Sequence, residues 1–296
     1  MTNIIEVENL TRTYGKVRAV DGVSFEVEED GIYGLLGRNG AGKTTLMQLL
    51  TAQDFATRGT IRVFGASPVE NAKVLSRVCF VKESQAYPDS FKAKHVLKAA
   101  PHFFSHWDAG FAMNLVDAFK VPLDRPIWKM SRGQRSAVGV IVGLASRAPL
   151  TLFDEPYAGL DAVARHIFYD TLLADYAEHP RTILLSTHLI DEASNLLSHV
   201  LVIDEGRIII DEDAEHLRAA TTVVVGKRSD VNAFAKGRDV IGRQSLAGIE
   251  SATISGLSAT DKKRAIAAGL ELSPVSLQQL IVSRTGGTAI TEEASA

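Results

Sequence analysis

Three segments near the N-terminus alternate between apolar and polar residues. This alternation places the apolar side chains on one face of a strand and the polar side chains on the other. Antiparallel sheets commonly bury one such face and leave the other in contact with water. We therefore predict an antiparallel β layer formed by residues 5–8, 24–28 and 60–63.

Three other segments are continuously apolar, namely Ile32–Leu36, 150–153 and 183–185. Strands of parallel sheets have continuously apolar sequences because both of their faces are buried. Residues 201–210 indicate two further strands around the turn Asp204-Glu205-Gly206. The chain is therefore predicted to have an α/β fold, in which a mostly parallel core sheet carries the antiparallel layer.

The pattern becomes helical between about residues 84 and 145. Phe111, Leu115, Val116 and Phe119 recur at helical spacing ahead of Pro122. We predict a helical insert over about 84–145, within a domain that covers residues 1–220.

Beyond residue 220 the sequence is richer in Ala, Ser, Gly and Thr. Residues 221–284 predict a small α+β extension, with strands at 223–225 and 252–254 and helices at 262–268 and 275–282. Ser273-Pro274 is interpreted as the start of the second helix. Residues 285–296 are small and polar, so we expect a disordered tail.

Composition narrows the possible classes of protein. The 296 residues carry a net charge of −3, which gives no sign of a nucleic-acid-binding surface. The single cysteine, Cys79, excludes an internal disulfide. The longest apolar run, residues 137–145, is far shorter than the roughly 20 residues that span a bilayer. The N-terminus lacks the basic and apolar regions of a signal peptide, so we expect a cytoplasmic protein.

The phosphate loop, residues 37–44, is the most specific motif. It fits the pattern G-x-x-x-x-G-K-[ST], and it lies between an apolar strand and a predicted helix. Its glycines let backbone N–H groups surround a polyphosphate, and the helix N-terminus adds its dipole. Lys43 can reach the β and γ phosphates, while Thr44 can offer its hydroxyl to Mg²⁺. The predicted nucleotide-binding residues here are Gly37, Arg38, Asn39, Gly40, Ala41, Gly42, Lys43, Thr44 and Thr45.

A second motif is the pair Asp154-Glu155 at the end of an apolar segment. The carboxyl edge of a parallel sheet is where α/β folds bind ligands. One carboxylate can help to hold Mg²⁺, and the other can orient and activate the attacking water. The residues alone leave open which carboxylate takes which role.

A third motif, Met130-Ser131-Arg132-Gly133-Gln134, precedes that strand. Ser131 is a plausible N-cap for the following helix, and its hydroxyl and the Gly133 N–H would form a second phosphate site. In this order, the three motifs resemble those of the nucleotide-binding subunits of ATP-binding cassette (ABC) transporters. The signature of that family is usually L-S-G-G-Q. The resemblance covers about residues 4–220.

This resemblance implies a P-loop NTPase cassette that binds ATP and Mg²⁺ and hydrolyses ATP. It implies that Gln134 belongs to the signature, that Asp161 lies in the D-loop at a dimer interface, and that His188 is the switch histidine that contacts the γ-phosphate. Tyr14 resembles the aromatic residue that stacks on adenine. Glu155, His188 and Lys43 are the implied catalytic residues.

Two positions depart from the family pattern. Glu83 occupies the place of a glutamine that touches Mg²⁺, so we list it with Thr44 and Asp154 as a metal-contacting residue. A glutamate adds a negative charge beside the phosphates. Arg132 replaces a signature glycine, which need not cause a clash if its side chain points to solvent.

The resemblance also implies partners. Each ATP would be sandwiched between Lys43 of one subunit and Ser131 of another in a head-to-tail dimer, homodimeric or heterodimeric. A transmembrane permease subunit would dock on the groove between the helical insert and the sheet, which places the chain at the inner face of the cell membrane. Residues 87–91 either line that groove or form a local packing turn.

Other functions compete with transport. The first is a soluble ABC ATPase that acts on ribosomes or DNA, although such relatives usually carry two cassettes or long coiled coils. The second is a non-catalytic nucleotide switch, which Glu155 and His188 disfavour. The extension from residue 221 either binds a regulator or supports the dimer, and the sequence does not identify a transported substrate.

Overall fold

The computed structural model describes residues 2–83, 85–219, 221–246 and 248–284. The chain divides into two compact units. The first unit contains the described residues of Met1–Leu189 and Leu196–Asp211, and the second contains those of Ile190–Asn195 and Glu212–Ala296. The predicted tail, 285–296, lies outside the described residues, as do the boundary residues Ser84 and Ala220.

The core of the first unit is a six-stranded sheet. Its strands, in spatial order, are β5 (Val78–Val81), β6 (Leu150–Asp154), β7 (Thr182–Thr187), β3 (Ile32–Leu36), β8 (His199–Asp204) and β9 (Arg207–Asp213). The pairs from β5 through β8 are parallel. Strands β3, β6 and β7 are buried at every residue, as predicted for parallel strands covered on both faces. The α/β prediction is confirmed.

The antiparallel layer is also confirmed. Its strands, in spatial order, are β2 (Val17–Glu28), β1 (Asn3–Tyr14) and β4 (Arg58–Val63). The apolar face of the layer packs into one cluster with helix α1 (Lys43–Leu50) and the core sheet, including Leu10, Leu35 and Leu46. This packing buries the helix that follows the phosphate loop.

The other helices of the first unit follow from local signals. Asp108 accepts from the Phe111 N–H at 2.8 Å and caps α4, and the predicted N-cap Ser131 accepts from the Gln134 N–H at 3.2 Å and caps α5. Pro101 lies in a short 3-10 turn after α3. These helices are α2 (Ala72–Leu75), α3 (Ala93–Ala99), α4 (Ala109–Ala118), α5 (Arg132–Ser146) and α6 (Ala162–Glu178).

The second unit contains a four-stranded antiparallel sheet in the spatial order β11-β12-β10-β13. In chain order the sheet and its helices run strand, helix, strand, strand, helix, strand, which is the split βαβ arrangement. The elements are α7 (Ile190–Ala193), α8 (Ala214–Ala219), β10 (Thr221–Lys227), α9 (Arg228–Ala235), β11 (Val240–Leu246), β12 (Ile249–Ser255), α10 (Ala259–Ala267), β13 (Glu271–Pro274) and α11 (Leu277–Arg284).

One prediction in this unit is wrong. Ser273-Pro274 does not begin the last helix but ends β13, where the two residues pair with Val223 and Thr222. Proline is tolerated there because β13 is an edge strand. The helix begins at Leu277, after Ser276 accepts from the Gln279 N–H at 3.1 Å. Among the described residues, no helix is both long and apolar enough to cross a membrane.

Candidate functional site

The phosphate loop connects β3 to α1 through a backbone path that requires glycine. Gly42 has φ of 111° and is the N-cap of α1, and a Cβ there would lie 2.3 Å from the carbonyl oxygen of Ala19. A Cβ on Gly37 would lie 2.3 Å from the carbonyl oxygen of Ile203. Neither neighbour can yield, because both are backbone atoms. The two motif glycines are therefore fixed by close backbone approach.

The loop leaves its central residues open to solvent and buries its lysine. Lys43 is 6% exposed, and its Nζ donates to the carbonyl oxygens of Gly37 at 2.7 Å and Arg38 at 3.2 Å. Arg38, Asn39, Gly40 and Thr44 are exposed, Thr45 is half-buried and Ala41 is buried. The lysine is therefore held within the curve of the loop, where an anion would meet it.

Asp154 links the loop to two strands of the sheet. Its Oδ2 accepts from the Thr44 hydroxyl at 2.8 Å, and its Oδ1 accepts from the Ser186 hydroxyl at 2.7 Å. Burial raises the pKa of Asp154, although the hydrogen bonds from Ser186 and Thr44 act in the opposite direction. The sheet order brings these groups together, because β6 and β7 are neighbours.

Glu155 follows with a left-handed backbone, φ 47°, which is uncommon for a residue with a side chain. Its N–H donates to the Ser186 hydroxyl at 2.9 Å. Its Oε2 is 2.7 Å from Nδ1 of His188, and its Oε1 is 3.4 Å from Nζ of Lys43. Backbone outliers of this kind concentrate at functional sites. The three predicted catalytic residues therefore meet at one carboxylate.

The electrostatics of this group favour an ionised Glu155. Burial alone would raise its pKa, but hydrogen bonds from His188 and Tyr157 and the charge of Lys43 outweigh that effect and lower the pKa. The hydrogen bond to Glu155 raises the pKa of His188, more than burial lowers it. The carboxylate and the imidazole thus stabilise each other's charged forms.

Tyr157 is a further residue of this site, and the sequence motifs did not identify it. Its hydroxyl donates to Glu155 Oε2 at 2.6 Å, contacts the Thr187 hydroxyl and accepts from the His188 N–H at 3.1 Å. The side chain is 2% exposed. Its position in the sequence could have identified it, because a polar residue two places after the Asp-Glu pair must lie near the same sheet edge.

The signature segment, residues 130–134, forms the start of α5. Ser131 and Gln134 cap each other, with the Ser131 N–H donating to the Gln134 side-chain oxygen at 3.3 Å. A Cβ on Gly133 would lie 2.5 Å from the carbonyl oxygen of Gly159. Asp161 caps α6 by accepting from the Ala164 N–H at 2.8 Å. Within the described residues, no hydrogen bond or ion pair joins Ser131, Gly133 or Gln134 to the phosphate loop.

Comparison with known proteins agrees with this geometry. The sequence model described as ABC transporter matches residues 20–158. The Nod factor export ATP-binding protein I of Cupriavidus metallidurans is 31% identical over 217 residues, which is 71% of this chain and 71% of the relative. The bacitracin transport ATP-binding protein BcrA of Enterococcus faecalis is 30% identical over 222 residues, 73% of this chain and 71% of the relative. The chain belongs to the ATP-binding subunits of ABC transporters.

Solved structures show the same fold. The ATP-binding subunit of an ABC transporter superposes with a TM-score of 0.65 at 22% identity, over 73% of this chain and 92% of the other. A dimeric ATP-binding cassette in a post-hydrolysis state, bound to ADP and Pi, has a TM-score of 0.62 at 19% identity, over 71% and 98%. The predicted cassette fold of this ABC subunit is therefore confirmed.

Tyr14 of the ABC subunit lies on the surface at the end of β1. It is 44% exposed, and its hydroxyl donates to Asp54. The Arg12 guanidinium lies 4.4 Å from the centre of the ring and pairs with Asp54 at 2.7 Å. One face of the ring therefore carries a cation, and the adenine-stacking role of Tyr14 stays a prediction.

Glu83 and Arg132, the two departures from the family pattern, contact each other. Nη2 of Arg132 donates to Oε1 of Glu83 at 2.6 Å. The Arg132 side chain is 64% exposed, and the sequence did not predict this ion pair. Glu83 also lines a cavity of about 310 Å³ together with Thr44 and Asp154. The three predicted metal-contacting residues therefore share one cavity.

Proposed function

We propose that this ABC subunit hydrolyses ATP with Mg²⁺ in a head-to-tail dimer and so powers a separate transmembrane permease subunit. The observation that carries the proposal is the convergence of Lys43, Glu155 and His188. The buried Lys43 ammonium lies 3.4 Å from one oxygen of the ionised Glu155 carboxylate, and the His188 imidazole lies 2.7 Å from the other. This combination fits hydrolysis of a phosphoanhydride better than simple nucleotide storage.

The residues around Asp154 fit Mg²⁺. Thr44 and Asp154 offer hard oxygen ligands side by side, and Glu83 lines the same cavity. Among the described residues, no three His, Cys, Asp or Glu side chains cluster tightly enough to hold a metal alone. A Mg²⁺ ion takes its remaining ligands from phosphate and water. When bound, the ion neutralises charge that develops on the phosphates.

The chain's own groups then have defined roles. When ATP binds, Lys43 leaves its contacts with the loop carbonyls and Glu155 and contacts the β and γ phosphates instead. Glu155, freed from the lysine, accepts a hydrogen bond from the attacking water and orients it in line with the γ-phosphate. His188 contacts the γ-phosphate through its ring. Tyr14 stacks on adenine, and the backbone N–H groups of residues 38–44 surround the phosphates.

The second half of each site comes from another subunit. Ser131, Gly133 and Gln134 lie at the N-terminus of α5, which favours an anion. In a head-to-tail dimer they face the γ-phosphate bound by the partner, and Asp161 lies at the interface. ATP closes this dimer, and loss of the γ-phosphate opens it. Both homodimeric and heterodimeric arrangements are compatible with these roles.

The permease is proposed to dock on a groove of about 470 Å³. Its walls include Tyr87, Ile127, Trp128 and Gly139, and Trp128 is 59% exposed. Phe91 instead packs locally against the ring of His95. The groove wall at Tyr87 and the local packing of Phe91 support a proposal in which residues 87–91 take both of these roles. Docking there places the subunit at the inner face of the cell membrane.

The first experiment tests hydrolysis with Glu155→Gln. We expect the variant to lose ATP turnover and to elute as an ATP-dependent dimer in size-exclusion chromatography. Lys43→Ala is the control, because it should neither bind ATP tightly nor form the dimer. Turnover by Glu155→Gln at the wild-type rate would overturn the proposed base.

The second experiment tests the partner. The tagged subunit is purified from its native membranes in mild detergent, and co-purifying proteins are identified by mass spectrometry. A stoichiometric polytopic membrane protein supports transport. Recovery with ribosomes or DNA-repair proteins instead would retain the ATPase but contradict the coupling to a permease.

A further inference from the structure

Tyr157 lies where three parts of the site meet. It follows Glu155 by two residues, and its hydroxyl contacts Glu155, the Thr187 hydroxyl and the backbone N–H of His188. Its ring packs edge-on to the ring of His188, with centroids 5.9 Å apart. One hydroxyl therefore connects the end of β6 with the switch segment, residues 185–188.

The direction of the hydrogen bonds follows from the chemistry of the groups. A tyrosine hydroxyl carries one hydrogen, and an ionised carboxylate can only accept. Tyr157 therefore donates to Glu155 Oε2, at 2.6 Å. Its oxygen then accepts from the Thr187 hydroxyl and from the His188 N–H at 3.1 Å. The Leu189 N–H donates to Thr187 at 2.8 Å and completes the chain of bonds.

This arrangement makes the two oxygens of Glu155 different. Oε2 is held by Tyr157 at 2.6 Å and by His188 at 2.7 Å. Oε1 is buried without a hydrogen-bond partner among the described residues and lies 3.4 Å from the Lys43 ammonium. Because both contacts to Oε2 come from side chains, Tyr157 and His188 set the direction of the carboxylate.

We propose that Tyr157 is a positioning residue for ATP hydrolysis. Its hydroxyl fixes Oε2 of Glu155, so that Oε1 stays directed toward Lys43 and the nucleotide, and it couples that orientation to the switch segment through Thr187. This inference rests on the proposed function, in which Glu155 orients the attacking water. Tyr157 itself touches neither ATP nor the water.

The surroundings of Tyr157 suit this role. The side chain is 2% exposed, so water does not compete for its hydroxyl. Burial raises the pKa of Tyr157 far above its usual value, with the charge of Glu155 acting in the same direction. The hydroxyl is therefore a neutral donor throughout the physiological range. A phenylalanine would fill nearly the same space and lack only the donor.

The test is Tyr157→Phe, measured by steady-state ATPase kinetics with Mg²⁺. We expect kcat to fall about tenfold to a hundredfold, less than the loss of a general base itself, while KM for ATP stays within about twofold. Tyr176→Phe is the matched control, since that hydroxyl donates to the Asp30 carbonyl at 2.6 Å, away from the phosphate loop. The control should retain the wild-type kcat.

Other outcomes separate the two hypotheses. Wild-type kcat in a folded Tyr157→Phe protein overturns the positioning role and leaves the ATPase intact. If Tyr157→Phe changes both KM and thermal stability but leaves kcat unchanged, the role of the hydroxyl is structural instead. If wild-type protein and Glu155→Gln turn over ATP equally, the proposed function fails, whatever Tyr157 does.

A second pair of variants keeps the inference testable if Tyr157→Phe does not fold. Thr187→Val removes the hydroxyl that donates to Tyr157 but leaves the bond between Tyr157 and Glu155. We expect it to lower kcat by about threefold to tenfold, and Thr187→Ser to restore the rate because it keeps the donor. Unchanged kcat in Thr187→Val would overturn the proposed connection to the switch segment.

Discussion

Arg132 and Glu83 form an ion pair, with Nη2 of the arginine 2.6 Å from Oε1 of the glutamate. The two residues are 49 positions apart in the chain. Both depart from the ABC family pattern, in which a signature glycine and a glutamine are usual. Both line a cavity of about 380 Å³ that also contacts Glu155 and His188. The arginine therefore neutralises the negative charge that the glutamate introduces beside the nucleotide site.

A double-mutant cycle tests this compensation. Arg132→Gly leaves the Glu83 charge unpaired beside the phosphates, so we expect KM for ATP to rise about threefold to tenfold. Adding Glu83→Gln should restore most of the affinity. Since the side chains are 64% and 45% exposed, thermal stability should change little in any variant. Strictly additive effects on KM would show that the two positions act independently.

The ion pair between Lys43 and Glu155 should compete with nucleotide. Both side chains are less than 10% exposed, and the atoms are 3.4 Å apart. Glu155→Gln removes the competing charge, so we expect ADP affinity to increase about threefold to tenfold. Isothermal titration calorimetry measures this affinity. ADP is used because ATP would also close the dimer. Asp170→Asn is the matched control, because it removes a carboxylate that is 66% exposed and pairs with His166 on the same helix, and its ADP affinity should stay unchanged.

The pair of His188 and Glu155 predicts a pH-dependent stability without nucleotide or divalent ions. The pKa of His188 is raised above 6.5, so its contribution to the free energy of unfolding is complete below pH 6.5 and is lost as pH rises through the folded-state pKa. The pKa of Glu155 is lowered below 4.5, so its contribution to the free energy of unfolding is complete above pH 4.5 and is lost as pH falls through the folded-state pKa.

Thermal unfolding of wild-type protein and His188→Ala measures this effect. The difference in Tm should be larger at about pH 5.5 than at about pH 8.5. His166→Ala serves as control, since that histidine is 78% exposed and pairs with Asp170 on the same helix. An equal difference in Tm at both pH values would contradict the charged pair.

Gly133→Ala should destabilise the protein even though alanine is the better helix former. In an ordinary helix the change stabilises by about 0.5–1 kcal/mol. Here the new Cβ would lie 2.5 Å from the carbonyl oxygen of Gly159, so the backbone must shift. Gly110→Ala in α4 is the control, where the nearest atom is the Asp108 side chain at 3.4 Å. Chemical unfolding should show opposite signs for the two changes.

Asp175 supports the fold from within α6. It lies between Arg147 at 3.0 Å and Arg181 at 2.8 Å, and Asp175 and Arg181 are 5% and 4% exposed. Asp175→Asn leaves two cations facing a neutral amide, so we expect a loss of about 3–5 kcal/mol of unfolding free energy. Asp170→Asn, on an exposed part of the same helix, should cost less than about 1 kcal/mol. Urea denaturation with both variants measures the difference.

The elements with strong local signals could be predicted from the sequence. The phosphate loop, the buried strand that ends at Asp154 and the helix capped by Ser131 depend on residues within a few positions of one another. The second unit was harder to predict, because its signals are weak. In β11, residues 243–246 are all exposed and show no alternation, and β13 has four residues.

By itself, the sequence determined that this chain has a phosphate-binding loop, a carboxylate pair at a sheet edge and a capped signature helix, because glycine geometry, strand burial and capping are local properties. The tertiary structure decided which side chains meet. Glu155 contacts His188 and Tyr157 contacts Thr187 because β6 and β7 are neighbours in the sheet. The pair of Arg132 and Glu83 depends on how α5 packs near the end of β5. Such contacts arise from the sheet order and side-chain directions, which no short stretch of sequence specifies.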